Sequence, residues 1–185
     1  KWPQAPYDCG LAIVRDELAI RRAMTIAASY LPEAAADERD PTHYVPELSR
    51  RARGFATWAV IRALGRSGIA ELVERDCRVA TLMADRLAAE PGVAVVNDVV
   101  LNQVLVRFGV DEAVERGDEL TRMTIRRIQE DATCMAGGTD WRGRHVMRLS
   151  VIGGTTHEVD GATSAKAIVS AWRTVRSGAN GPLPG

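Results

Sequence analysis

The 185-residue sequence has no apolar run of 18 or more residues, so no helix within it is expected to cross a membrane. It has no charge of prevailing sign: Lys+Arg and Asp+Glu are 24 each. That removes the electrostatic reason to expect nucleic acid or an anionic membrane surface as a partner. Cysteine is scarce. Cys9, Cys77 and Cys134 are odd in number and far apart, which argues against a disulfide framework and for a reducing, cytoplasmic setting. Histidine is scarce too. His43, His145 and His157 have no ligand-like spacing to one another or to a cysteine pair, so no metal site is expected. The first residues lack the charged-then-apolar pattern of a signal peptide. What remains is an ordinary globular mix, 46% hydrophobic and 26% charged, long enough for one domain with a sizeable core or for part of a larger one.

The apolar run YDCGLAIVR, residues 7–15, lies between Pro6 and the charged Asp16-Glu17 and reads as a buried strand. A short helix is expected from 17 to about 24. SYLPEAAADERDPTHYVPE follows, with Pro32, Pro41 and Pro46, a charge cluster and no periodicity. An irregular stretch of that length is uncommon in a compact domain and is usually a lid or a binding segment. Next, Phe55, Trp58, Ile61 and Leu64 recur at helical spacing on one broad apolar face, with Gly65 and Gly68 as stop signals. A second helix, about 69–89, repeats the pattern with Leu72, Val79, Leu82, Met83 and Leu87.

Beyond Pro91 the texture changes. VAVV and QVLVRF read as short strands, residues 111–130 as an amphipathic helix, and TCMAGGTDWRGRHVMRLSV as further strands. Gly137-Gly138 and Arg142-Gly143 read as turns between them. Thr155 and Glu158 stand in capping-box relation ahead of a last helix bearing Ala165, Ile168, Val169 and Trp172. Residues 91–185 thus form a strand–strand–helix–strand–strand–helix unit, a small α/β layer. The strand at 7–15 has no local partner, and a buried strand of this kind normally lies inside a parallel sheet. Its neighbours are expected upstream of residue 1.

Several of these stretches, in order, resemble one family. KWPQAPYDCGLAIVR is similar to the segment around the cofactor lysine of the pyridoxal-5'-phosphate-dependent group II amino-acid decarboxylases, through Lys1, Trp2, Tyr7, Asp8 and Cys9. SYLP resembles the family's mobile catalytic loop, with Tyr30 at its catalytic tyrosine. SRRARGFATW resembles its Arg-Arg-x-Arg-x-x-x-x-Trp signature, carried by Arg50, Arg51, Arg53 and Trp58. LGRSGI, LNQVLVRF and GRHVMRLSVIGGTTHEVD fit the helix break, the first strand pair and the closing strand and helix that follow.

The resemblance implies an α/β fold: the C-terminal part of a fold type I transferase-like enzyme, comprising the end of the large domain and a small C-terminal domain. Residues 1–45 would be a remnant of the large cofactor-binding domain with its catalytic loop, 46–90 the connecting helices, and 91–185 the small domain. The family's ring-stacking His, its pyridine-pairing Asp and most of its phosphate cradle precede the lysine, so the chain is expected to be a C-terminal fragment cut at that residue. The resemblance further implies a cytoplasmic homodimer that decarboxylates an L-amino acid, with pyridoxal 5'-phosphate as cofactor.

Each site residue has a chemical reason. A lysine amine can condense with an aldehyde cofactor, and its pKa falls readily on burial, which leaves a nucleophile; that points to Lys1. Loss of CO2 leaves an electron pair at the substrate Cα, and a tyrosine hydroxyl brought within reach can protonate it; that points to Tyr30. Ser49 stands near an expected helix start, where a hydroxyl and free N–H groups favour phosphate, and the resemblance makes this a cofactor contact across subunits. Arg148 lies on an expected strand with Met147 and Leu149 on the opposite face. It is either a group that binds the substrate carboxylate or a structural ion pair. A firmly held carboxylate would oppose decarboxylation, so both readings stand. The alternatives are an aminotransferase or aldehyde-forming enzyme of the same fold, or a non-catalytic piece that supplies only a dimer surface. Tyr30 argues for simple decarboxylation.

Overall fold

The computed structural model of the chain describes residues 2–26 and 39–179. Contacts divide the chain into two units: Ala5–Arg62, and Lys1–Gln4 together with Ala63–Gly185.

In the larger unit, four strands form one antiparallel sheet: β1 (Val93–Val95), β2 (Gln103–Phe108), β3 (Gly137–Trp141) and β4 (Arg144–Ser150), in the order β1-β2-β4-β3. Strands β1, β2 and β4 follow the apolar runs VAVV, QVLVRF and HVMRLSV that were expected as strands. Val104, Val106 and Phe108 on β2, with Met147 and Leu149 on β4, turn inward. There they meet three helices: α2 (Gly54–Ala88), α3 (Val114–Asp131) and α4 (Glu158–Ala179). Helix α2 contributes Val79, Met83 and Leu87 at i, i+4, i+8. Helix α4 contributes Ala165, Ile168 and Trp172, and α3 contributes Leu120, Ile125 and Ile128. Full burial of each large side chain in this set stabilises the fold by about 1.5–3 kcal/mol.

The two expected helices of residues 54–88 run together in α2, with non-helical backbone at Gly65, one of the two glycines marked as stops. Two other glycine readings part company. Arg142 and Gly143 do form the β3–β4 turn, with φ of 50° and 72°. Both residues are left-handed, as a two-residue turn between twisted strands requires. Gly137 and Gly138 are not a turn but the start of β3, paired with Arg148 and Met147. A Cβ on Gly138 would run into the His145 ring of β4. Glycine there leaves room for that ring.

Helix α4 also starts differently from expectation. The Asp160 carboxylate accepts from the His157 N–H at 2.9 Å, so the reciprocal cap runs from residue 160 to residue 157. Glu158 instead faces Arg78, 3.5 Å away.

In the unit Ala5–Arg62, α1 (Glu17–Met24) forms as expected. The Asp16 carboxylate caps it by accepting from the Leu18 and Ala19 N–H groups at 2.9 and 3.2 Å. A 3-10 turn spans Pro41–Tyr44. The buried strand expected at 7–15 is not present. The segment is irregular, and Leu11 and Ile13 are exposed. A buried strand needs a ladder for its backbone groups, and none of the described residues offers one here. The apolar face of α2 is likewise uncovered at its start, where Phe55 and Trp58 are 67% and 57% exposed.

Candidate active site

Lys1 and Tyr30, the two expected catalytic residues, lie outside the described residues. The structure does describe what surrounds Lys1 in the chain. Trp2, the next residue, donates its indole Nε1–H to Oδ2 of Asp76 at 2.8 Å. Asp76 sits on α2 and is fully buried. Burial pushes its carboxyl above the ordinary aspartate value, while the Trp2 hydrogen bond and the nearby Gly153 N–H pull the other way. Its second oxygen, Oδ1, has no hydrogen bond in good geometry. The neighbouring Arg75 donates through Nη2 to the carbonyls of Gly153 and Gly154, both at 3.1 Å. The backbone at 153–154 is thereby tied to the same stretch of α2.

Asp76 was not anticipated. The signal is nonetheless in the sequence: it falls four residues after Leu72 and three before Val79, on the apolar stripe of the helix. A carboxylate in that stripe needs a polar partner from elsewhere in the fold.

The unit Ala5–Arg62 joins two of the quoted signatures. Nε of Arg53, from SRRARGFATW, donates to Oδ2 of Asp8, from KWPQAPYDCG, at 2.8 Å. The Arg53 guanidinium holds the Asp8 carboxyl below its ordinary value. Arg50 pairs with Glu47 at 3.7 Å. These arginines precede α2 rather than lying on its surface, since the helix begins at Gly54. Ser49 is likewise not at a helix start. It occupies an exposed bend, and among the described residues its hydroxyl has no hydrogen-bond partner. Beside this segment, an open cleft of about 800 Å³ is lined by Asp8, Glu17, Arg39, Tyr44, Arg50 and Arg51. His43 lies near it, with Nδ1 3.5 Å from Arg21 Nη2.

Arg148 stands where the strand pattern put it. It is exposed, while Met147 and Leu149 on either side are 0% and 3% exposed. It pairs across the sheet with Leu105 and Gly137. Among the described residues it has no ion pair and no hydrogen bond, so the structural ion pair is not formed there. Ser49 and Arg148 belong to different units. Trp58 and Trp141 are exposed by 57% and 41%, whereas Trp172 is in the core.

Comparison with known proteins places this arrangement. The pyridoxal-dependent decarboxylase conserved domain matches residues 1–109. The chain is 25% identical to histidine decarboxylase of Drosophila melanogaster over 178 residues, which is 95% of this chain and 19% of that protein. It is 23% identical to tyrosine decarboxylase 2 of Arabidopsis thaliana, covering 97% of this chain and 32% of that one. The chain thus spans between a fifth and a third of the length of these two relatives. The fold is similar to that of Catharanthus roseus tryptophan decarboxylase solved with L-tryptophan, with a TM-score of 0.69 and 17% identity over 84% of this chain and 33% of that one. The chain belongs to the pyridoxal-dependent decarboxylase family.

Proposed function

We propose that this chain is the C-terminal, lysine-bearing portion of an enzyme that converts an L-amino acid to its amine and CO2. The observation that carries the reading is the family match over residues 1–109, a span that contains Lys1, Tyr30 and Ser49. The relatives' lengths support the view that the working enzyme is longer than this chain.

The residues suit pyridoxal phosphate, an aldehyde that carries a phosphate. Lys1 is one of only two lysines in the chain, and its neighbour Trp2 is pinned to Asp76. The Ser49 hydroxyl, without an internal partner, is free to donate to a phosphate oxygen. Bound cofactor supplies the electron withdrawal that lets CO2 leave the amino acid's α-carbon.

The chain's own groups do the rest. Lys1 would hold the cofactor through its amine. Arg148, with no partner among the described residues, would direct its guanidinium to the substrate carboxylate. The pair must be weak enough that it does not hold the carboxylate back in the ground state. As CO2 leaves, the electron pair stays on Cα, and the Tyr30 hydroxyl delivers a proton there. Solvent then restores the proton to Tyr30. The uncovered apolar residues Phe55, Trp58 and Ile61 suit a partner subunit, and a homodimer is the proposed assembly. Balanced charge and three free cysteines fit a cytoplasmic enzyme.

The test is direct. The longer protein, supplied with pyridoxal phosphate, is offered a panel of aromatic, acidic and cationic L-amino acids, and amine and CO2 are measured together. Equal amounts of both from one class support the reading. Release of neither from any class overturns it.

A further inference from the structure

We propose that Asp76 is a positioning residue for Lys1 that acts through the indole of Trp2. The inference rests on the reading above that Lys1 is the cofactor lysine.

Asp76 occupies a place where an apolar side chain would pack more cheaply. Leu72 and Val79 flank it on the buried stripe of α2, and the residue itself is 0% exposed. A carboxylate there costs stability unless it is paired or hydrogen-bonded. Its one side-chain donor among the described residues is the Trp2 indole, 74 positions away in the chain and 2.8 Å away in space. Among the described residues Asp76 makes no ion pair, and the charge of neighbouring Arg75 eases its burial only from a distance. Arg75 turns its guanidinium to the Gly153 and Gly154 carbonyls and toward Glu71. The carboxylate therefore acts on groups outside its own helix, the Trp2 indole and the Gly153 N–H, and of these Trp2 adjoins Lys1.

Trp2 is one peptide bond from Lys1. With its indole fixed at Nε1, the backbone of residue 2 has few torsions left by which to move relative to α2. The Asp76 carboxyl also faces the Gly153 N–H, on the turn that Arg75 anchors to α2, and the Gln4 side chain borders that turn. Residues 2–4, the stretch 75–76 and the turn 153–154 are thus linked in one unit. A nucleophile misplaced by about 1 Å can lose on the order of a hundredfold in rate. A rigid peptide next to the lysine is what such a group needs.

The experiment uses the intact decarboxylase with Trp2→Phe, Asp76→Leu and Asp76→Asn, each also checked by thermal melting. Two quantities are read: the equilibrium affinity for pyridoxal phosphate, and the pH midpoint of the visible absorbance of the lysine-bound cofactor. Trp2→Phe keeps an apolar ring and removes only the donor. It and Asp76→Leu should each weaken cofactor binding by about tenfold or more and shift the midpoint. The double variant should do little more than either alone, since both break one contact. Asp76→Asn keeps an acceptor oxygen and should lie nearer the parent than Asp76→Leu. Affinity and midpoint unchanged in Trp2→Phe would sink the proposal, whether or not Asp76→Leu folds. A parent enzyme in which Lys1 never bonds the cofactor would sink the decarboxylase reading and this inference with it. A parent that does bond through Lys1, with an unaltered Trp2→Phe, sinks only the inference.

Discussion

Asp8 and Arg53 are 45 positions apart in the chain and 2.8 Å apart in the fold. The contact joins the segment that follows Lys1 to the segment that leads into α2. It is partly exposed on both sides, with 32% of Arg53 and 43% of Asp8 accessible, so salt screens it. Its value lies in tying two irregular segments together.

That tie should be sensitive to acid. Arg53 lowers the Asp8 pKa in the folded unit. The stabilisation it gives is therefore present above the unfolded carboxylate value and is lost as pH falls through the lower folded one. Hydrogen exchange across residues 5–62 should show protection that declines over that acidic window. Asp8→Asn should be less protected at neutral pH and flat across the same window. Identical pH dependence in the two proteins would remove the contact from the account.

Reductive trapping of bound pyridoxal phosphate should label Lys1. The other lysine, Lys166, is exposed on α4 and lies outside the family match, which ends at residue 109. Peptide mapping after borohydride treatment decides between them. Lys166→Arg should leave the labelling intact, and Lys1→Ala should abolish it. A label on Lys166 in the native enzyme would overturn the assignment.

Arg148→Ala in the intact enzyme should raise KM for the amino acid by about tenfold or more, the effect of losing a charge-assisted hydrogen bond worth about 1.5–3 kcal/mol. The melting temperature should hardly change, because the side chain has no partner to lose among the described residues. A fall in stability with unchanged KM would return Arg148 to a structural role.

Tyr30→Phe should lower amine output strongly, since the proton donor at Cα is gone. The electron pair left by CO2 is then open to oxygen, and aldehyde should appear among the products. Amine formation at the parent rate would remove Tyr30 from the chemistry.

Ile168→Ala tests the core of the larger unit. Ile168 is fully buried among the sheet and the helices. Truncation should cost about 2–5 kcal/mol in urea unfolding. A cost below 1 kcal/mol would mean that the helices do not pack on the sheet as described.

Much of the larger unit was legible because its signals are local. Val104 and Val106, or Met147 and Leu149, declare a buried strand face by period 2. Val79, Met83 and Leu87 declare a helix face by period 3.6. Turn chemistry was half legible: Arg142-Gly143 is a turn, whereas Gly137-Gly138 opens a strand in which the missing side chain of Gly138 leaves room for the His145 ring. Composition alone does not separate those two uses of glycine. The smaller unit was less legible. Leu11, Ile13, Phe55 and Trp58 are apolar, but apolarity states only that a residue would gain from burial and not what would cover it. Asp76 was missed for a related reason. Its donor, Trp2, is remote in sequence, and only the fold brings the two together.

The two-residue turn at Arg142-Gly143 has a consequence that reaches beyond the turn. Side chains along β4 alternate between the core and the open face, with Met147 and Leu149 buried and Arg148 outside. One residue added to the turn would change the pairing of β3 with β4 by one step. Were β4 to follow that step against the rest of the sheet, a guanidinium would enter the core and two apolar residues would leave it. The length of this hairpin loop therefore decides which face of the sheet carries Arg148, although neither loop residue touches that side chain.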